Sequence, residues 1–229
     1  MSSPNVWNNL PLPDRRSFDY DPPKDQLRIL HIDDDLIVVD KPSGLLSVPG
    51  RDLPDCLESR LRDKHPETLL VHRLDMATSG VMIFARNKAA QRHLGLQFER
   101  RHIKKTYIAE VYGEPIGKTG RINLPLIADW PNRPRQMVSF ENGKPSVTDW
   151  EVISTAGKKT RLALHPITGR SHQLRVHCWA MGHPIFGDRI YATDEIFYAT
   201  PRLQLHAQTL DLRHPKNGEP MAFSADCPF

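Results

Sequence analysis

Asp75 is the one carboxylate in His72-Arg73-Leu74-Asp75-Met76-Ala77-Thr78-Ser79-Gly80, a stretch set between the apolar runs Leu69 to Val71 and Val81 to Ala85. An aspartate where a strand breaks has two uses. It caps a turn by accepting from nearby backbone N–H groups, or it serves a substrate as base or nucleophile. Two later segments offer partners for the second use. Lys105-Thr106-Tyr107 supplies an aromatic ring, and Val152 to Gly187 contains no carboxylate but five Lys or Arg and four histidines, His165, His172, His177 and His183. His172 and His177 are five apart with no acid nearby, whereas helical metal ligands fall at i and i+4 with an acidic partner. Histidines that bind phosphate or pack are therefore preferred, and no metal is expected. Thr168-Gly169-Arg170 precedes a helical pattern, where backbone N–H groups and the helix dipole attract anions. Arg170 is expected to hold a phosphate, and Arg175 to reach a carboxylate.

The elements that must position these groups are short. Arg28 to His31 and Leu36 to Val39 flank Asp33-Asp34-Asp35 as a hairpin, and Leu69 to Val71 and Val81 to Ala85 read as strands around Asp75. Leu53 to Lys64 and Lys88 to Arg101 have apolar residues at helical spacing, the second with Ala90, Leu94 and Phe98 inward and Arg92, Arg100 and Arg101 outward. Lys105 to Gly113 alternates as a strand, with Tyr107, Ala109 and Val111 on one face. Gln136 to Phe140 and Ser146 to Ile153 read as strands around an Asn142-Gly143 turn, and Arg161 to His165 as another. A helix then places Leu174, Cys178 and Met181 on one face and His172, Arg175 and Trp179 on a different one, ending at Gly182. Arg202 to Leu212 and Met221 to Phe223 close the chain as strands. Several hairpins with two or three helices predict an α+β fold on a mixed, mainly antiparallel sheet.

Residues 1–27 carry five prolines and no apolar period, which predicts an extended arm ahead of one domain over 28–229. The formal charge of the 229-residue chain is +4, but Arg86 to Lys105 has seven Lys or Arg against one acid, a local net of +6 that leaves −2 for the rest. Such segregation suits a polyanion. Three scattered cysteines argue against a disulfide scaffold or thiolate zinc site. No apolar run approaches membrane-spanning length and no signal pattern opens the chain, so a cytoplasmic protein without membrane partner is expected. There is no Gly-x-x-x-x-Gly-Lys-Ser/Thr and no Gly-x-Gly-x-x-Gly, which argues against nucleoside triphosphate or dinucleotide chemistry.

His72 to Gly80, Lys105-Thr106-Tyr107 and Pro166-Ile167-Thr168-Gly169-Arg170-Ser171-His172-Gln173-Leu174-Arg175-Val176-His177 together resemble the three motifs of the RluA family of pseudouridine synthases. Gly182-His183-Pro184-Ile185, Gly187-Asp188 and Leu205-His206-Ala207 are further matches. Lys41 to Gly50, Asp75 to Thr78 and Asp129 to Pro134 are most similar to the dual-specificity members, which act on a 23S rRNA hairpin and a tRNA anticodon stem-loop.

The resemblance implies a pseudouridine synthase fold with its catalytic cleft at the centre of the sheet, and RNA, not DNA, as partner. The 27 residues ahead of the core are too few for the S4 RNA-binding domain of larger relatives, so none is expected, and with no obvious long apolar seam in the chain a monomer is expected. The reaction breaks the N1–C1′ bond of uridine and joins C5 to C1′, which requires no cofactor. By the resemblance Asp75 is the catalyst, either as nucleophile at C1′ or as base at C2′. Arg175 should pair with it and keep it ionised. Tyr107 should stack on the uracil and assist proton transfer from C5. Arg73 should fill the space left by a flipped uridine or hold the flipped backbone, with His72, Arg170, His172 and Gln173 as phosphate or base contacts. Arg133, Arg135 and the basic patch would hold the stem. A non-catalytic RNA-binding module using the patch alone is the competing reading, and a metal hydrolase a weaker third.

Overall fold

Asp33 starts the first hairpin by folding its carboxylate over the turn, where Oδ1 accepts from the N–H groups of Asp35 and Leu36. This is the local bonding that makes Asp a turn former. The strands on either side, β1 (Arg28–Ile32) and β2 (Leu36–Lys41), pair antiparallel. The computed structural model describes residue 16 and residues 19–229. Most of the expected N-terminal arm, residues 1–15, 17 and 18, lies outside the described residues. The described residues fall into two compact units, one within Phe18–Tyr107 and Leu205–Phe229, the other within Met1–Ser17 and Ile108–Gln204.

In the first unit, α1 (Leu57–Arg62), β3 (Leu69–Leu70), β4 (Ser79–Ala85) and α2 (Lys88–Glu99) follow the hairpin. The chain returns as β11 (Leu205–Arg213) and β12 (Pro220–Ser224). β4 pairs antiparallel with β2 and β3 and parallel with β11, while β12 pairs antiparallel with β11. Residues of β2 and β4 alternate between faces. Leu36, Val38, Val81 and Ile83 pack with Ala90 and Leu94 of α2. Ile37, Val39, Met82 and Phe84 pack with Leu57 and Leu61 of α1. Both faces are covered, hence the unbroken apolar runs of these strands. Each fully buried aliphatic side chain contributes about 1.5–3 kcal/mol.

The strand β5 (Lys104–Tyr112) carries the chain into the second unit, the boundary falling between Tyr107 and Ile108. There β6 (Thr119–Asn123), β9 (Val147–Ala156) and β10 (Lys159–Pro166) form antiparallel pairs, β9 in the middle. β7 (Leu126–Ala128) and β8 (Gln136–Val138) make a separate hairpin. The sequence pairs 136–140 forward with 146–153, and this is corrected. The proline-broken loop 129–135 is itself the hairpin loop, so β8 turns back onto β7, while Asn142-Gly143 closes a local turn in which Gly143 N–H donates to Ser139 O. Two helices complete the unit, α3 (Gln173–Ala180) and α4 (Asp194–Tyr198). The second has no counterpart in the sequence reading. α3 was expected to have an apolar and a polar face, but all eight of its residues are buried. The α+β class and mixed, mainly antiparallel pairing are as expected. No helix among the described residues is long and apolar enough to cross a membrane.

Candidate active site

Asp75 sits in the loop between β3 and β4, partly buried. Its neighbours are held by the segment that follows β2. The ammonium of Lys41, fully buried, donates to the carbonyls of Pro42 (2.9 Å), Leu45 (2.7 Å) and Met76 (2.9 Å). Ser43 Oγ donates to Ala77 O, and Gly44 N–H to Met76 O. Ser47 Oγ donates to Leu74 O at 2.7 Å and accepts from Leu74 N–H at 3.1 Å. Within the loop, Thr78 N–H donates to Asp75 O. A buried lysine satisfied by three carbonyls is a rigid clamp, because each unmade bond would leave a buried polar group. Sequence reasoning noted Lys41-Pro42-Ser43-Gly44 only as a resemblance, and missed Lys41, Ser43 and Ser47 as the groups that fix the loop.

The far end of the loop is fixed by Gly80. Its φ of +112° and its place opposite Ala207 leave no room for a side chain, since a Cβ there would lie 2.2 Å from Ala207 O. Beside it, Ser79 Oγ and His206 Nδ1 are 2.8 Å apart and His206 Nε2 lies 3.1 Å from Ala225 O. A carbonyl only accepts, so His206 carries its proton on Nε2 and receives the Ser79 hydroxyl on Nδ1.

His72 opens the loop. Its Nε2 accepts from Ile83 N–H, and the ring stacks on Phe98 at 4.6 Å. Burial, with the charge of Lys105 adding to it, pushes its pKa down to about 3. A neutral imidazole committed in this way pins the loop to β4. Arg73, next along, is exposed, as a residue meeting RNA must be. Tyr107 packs against the cluster that contains Leu74. Burial, with the Asp75 charge second, raises its phenol well above the ordinary value. The phenol therefore stays protonated at neutral pH.

In the second unit, the turn between β10 and α3 is organised by Gln173. Its Oε1 accepts from Thr168 Oγ1 (2.7 Å) and Arg170 N–H (3.0 Å), and its Nε2 donates to Val147 O (2.9 Å) and Thr148 Oγ1 (3.0 Å). All the amide's atoms are engaged inside the protein, where Gln173 positions the turn. One backbone N–H expected to attract a phosphate, that of Arg170, is occupied by the same amide. Thr148 also meets His177 Nδ1, and His177 Nε2 donates to Leu124 O. Burial pushes His177 down to about 4 against that last bond. His165 faces Glu151, and His183 Nδ1 bonds Tyr112 O. These partners give three of the four histidines separate structural roles.

Arg170 is exposed. His172 precedes α3 in the left-handed region, φ 52° and ψ 16°, a conformation that costs a non-glycine residue about 1–3 kcal/mol. Arg175 is buried and makes a side-on pair with Asp188, Nε to Oδ2 at 2.7 Å and Nη2 to Oδ1 at 2.8 Å. Burial opposes ionisation of Asp188, but the Arg175 charge and bonds from Arg175 and the N–H groups of Ile190 and Tyr191 hold its carboxyl below the usual value. A side-on pair uses two of a guanidinium's five donors, so it is compatible with a second carboxylate. Asp188 was legible in one respect: it ends the acid-free run from Val152. Arg133 lies on the exposed loop between β7 and β8, its guanidinium 3.9 Å from the centre of the Trp130 ring. Of the basic patch, Lys88, Arg92, Arg100, Arg101 and Lys104 are exposed, while Arg86 is taken by Glu67 and Lys105 is partly buried.

Among the described residues, Asp33, Asp35 and His214 bring metal-ligand atoms within 4.8 Å of one another. His214 Nδ1 faces the N–H groups of Lys216 and Asn217, so the proton of the neutral ring is on Nε2, the atom aimed at Asp33 (3.3 Å) and Asp35 (3.9 Å). A metal on Nε2 would move that proton to Nδ1, against two donors. The trio fits a hydrogen-bonded fastener, not a metal site.

A family model described as RNA pseudouridylate synthase matches residues 35–180, and the chain belongs to that family. It is thus an isomerase that forms pseudouridine in RNA. The chain is 52% identical to the dual-specificity RNA pseudouridine synthase RluA of Escherichia coli (strain K12) over 92% of its own length and 98% of that protein. It is 53% identical to the RluA of Yersinia pestis over 88% and 99%. The structure resembles human RNA pseudouridylate synthase domain containing 1, with a TM-score of 0.76, 31% identity, and 89% and 84% of the two chains covered.

Proposed function

We propose that this enzyme acts on two RNAs, a 23S rRNA hairpin and a tRNA anticodon stem-loop, as a cytoplasmic monomer. The observation that carries the reading is the near end-to-end match, at 52% identity, to a synthase named for dual specificity. Both proposed substrates are compact stem-loops. Flipping a loop uridine costs only about a few kcal/mol, because little stacking is lost there.

In this reading Asp75 attacks the ribose of the flipped uridine, at C1′ as nucleophile or at C2′ as base. Tyr107 stacks on the uracil. Arg175, oriented by Asp188, pairs with Asp75 and keeps it ionised. Arg73 fills the vacated space, Arg170 and His172 contact the backbone near the target, and Arg133 with the exposed cations of α2 holds the stem without reading sequence.

The test presents the purified protein with each stem-loop, transcribed with C5-tritiated uridine. Tritium release from both RNAs is expected. Release from one alone removes dual specificity, and release from neither removes the substrate assignment.

A further inference from the structure

The Tyr191 side chain is 1% exposed, and its hydroxyl lies between two pieces of the second unit that the proposed reading assigns to RNA. It is 2.8 Å from the backbone N of Gln136, at the foot of the hairpin loop carrying Arg133, and 2.8 Å from Nδ1 of His172. The protons can be placed. A backbone N–H only donates, so the tyrosine oxygen accepts from Gln136. The hydroxyl proton must then point elsewhere. Gln136 O lies 3.5 Å away, at the limit of a hydrogen bond, whereas His172 Nδ1 is at an ideal distance. Of these two acceptors His172 Nδ1 is the better placed, and a neutral imidazole that accepts there carries its own proton on Nε2.

The rest of Tyr191 is fixed as firmly. Its N–H donates to Asp188 Oδ1, the Arg175 guanidinium lies 5.2 Å from its ring centre, and the His172 ring meets it edge-on at 5.7 Å and 87°. His172 needs such a hold because its backbone is in the left-handed region. We infer that Tyr191 is a positioning residue: one hydroxyl sets His172 as an Nε2–H donor and fixes the foot of the Arg133 loop relative to it. This rests on the reading that His172 and Arg133 contact RNA. A phosphate or base acceptor then meets a donor of fixed direction, without the tautomer having to be selected on binding.

The test uses the full chain, wild type and Tyr191→Phe, which keeps the ring and deletes the hydroxyl. Long-range ¹H–¹⁵N correlation spectra of the histidine rings, with the His172 signals assigned by their loss in His172→Ala, should show an unprotonated Nδ1 and a protonated Nε2 in the wild type. The two tautomers should mix in Tyr191→Phe. With a stem-loop substrate, Tyr191→Phe should raise KM about tenfold, equivalent to about 1.4 kcal/mol, and change kcat less than about twofold. In a His172→Ala background the same change should raise KM by clearly less than tenfold, because only the bond from Gln136 is then left to lose. A wild-type His172 protonated on Nδ1 overturns the proposal, as does a KM effect that persists in full without His172. If Tyr191→Phe does not fold, the wild-type spectrum alone decides. If the wild type modifies neither RNA, the substrate reading has failed, and the spectra still decide the role of Tyr191.

Discussion

In the loop that carries Asp75, the carbonyls of Leu74, Met76 and Ala77 are held by side chains 27 to 35 residues upstream, Ser47, Lys41 and Ser43. In the turn that carries Arg170, Thr168 and the Arg170 N–H are held by Gln173, five and three residues on, and that amide is anchored in turn on Val147 and Thr148. One clamp is centred on a charged, buried ammonium and is long-range. The other is neutral, with two local bonds and two that reach 26 and 25 residues back. The residue proposed for chemistry is thus held by the stiffer device, and the residue proposed to meet a phosphate by the softer one.

The largest expected effect separates the two devices. Lys41→Met leaves three carbonyls without the ammonium, and bonds to a charged group are each worth about 1.5–3 kcal/mol. A loss of about 3 kcal/mol or more in urea unfolding is expected, with activity falling even where the fold survives. Gln173→Leu removes neutral bonds, some to groups that water can reach, and should cost about 2 kcal/mol. Equal losses from the two substitutions would erase the distinction.

Acidification acts on both regions through His72 and His177. Each has a folded pKa lowered by burial, to about 3 and about 4, so the unfolded chain takes up a proton first. Their neutral forms contribute stability above the unfolded value near 6.5, and it is lost as pH falls from there towards the folded values, by about 1.4 kcal/mol per pH unit for each histidine. Unfolding curves between pH 7 and 5 check the slope, which should halve in His177→Gln. Smallest is Arg73→Gln. An exposed side chain outside both clamps should change stability by less than about 0.5 kcal/mol, while weakening RNA binding measured by filter retention.

The contrast also explains what was legible in the sequence. The apolar runs Leu36 to Val39 and Val81 to Ala85, and the breaks on either side of Asp75, gave the first unit's strands because run length and turn chemistry are local. Lys41 was opaque as a clamp, since nothing in its own neighbourhood shows that Met76 will fold over it. α3 was read as two-faced because its pattern mixes polar and apolar residues, yet Gln173, Arg175 and His177 are buried polar groups satisfied by Thr168, Asp188 and Thr148. Periodicity cannot separate a polar residue facing water from one facing a buried partner. The backward pairing of β8 was hidden for a similar reason: strand propensity does not say which neighbour a short strand will choose.

The most direct test is tritium release by Asp75→Asn, a change that keeps size and removes the carboxylate. Release should fall by about a thousandfold or more, with circular dichroism and RNA binding close to those of the wild type. Release retained near the wild-type rate by a folded Asp75→Asn protein would contradict the assignment of Asp75 as the catalyst.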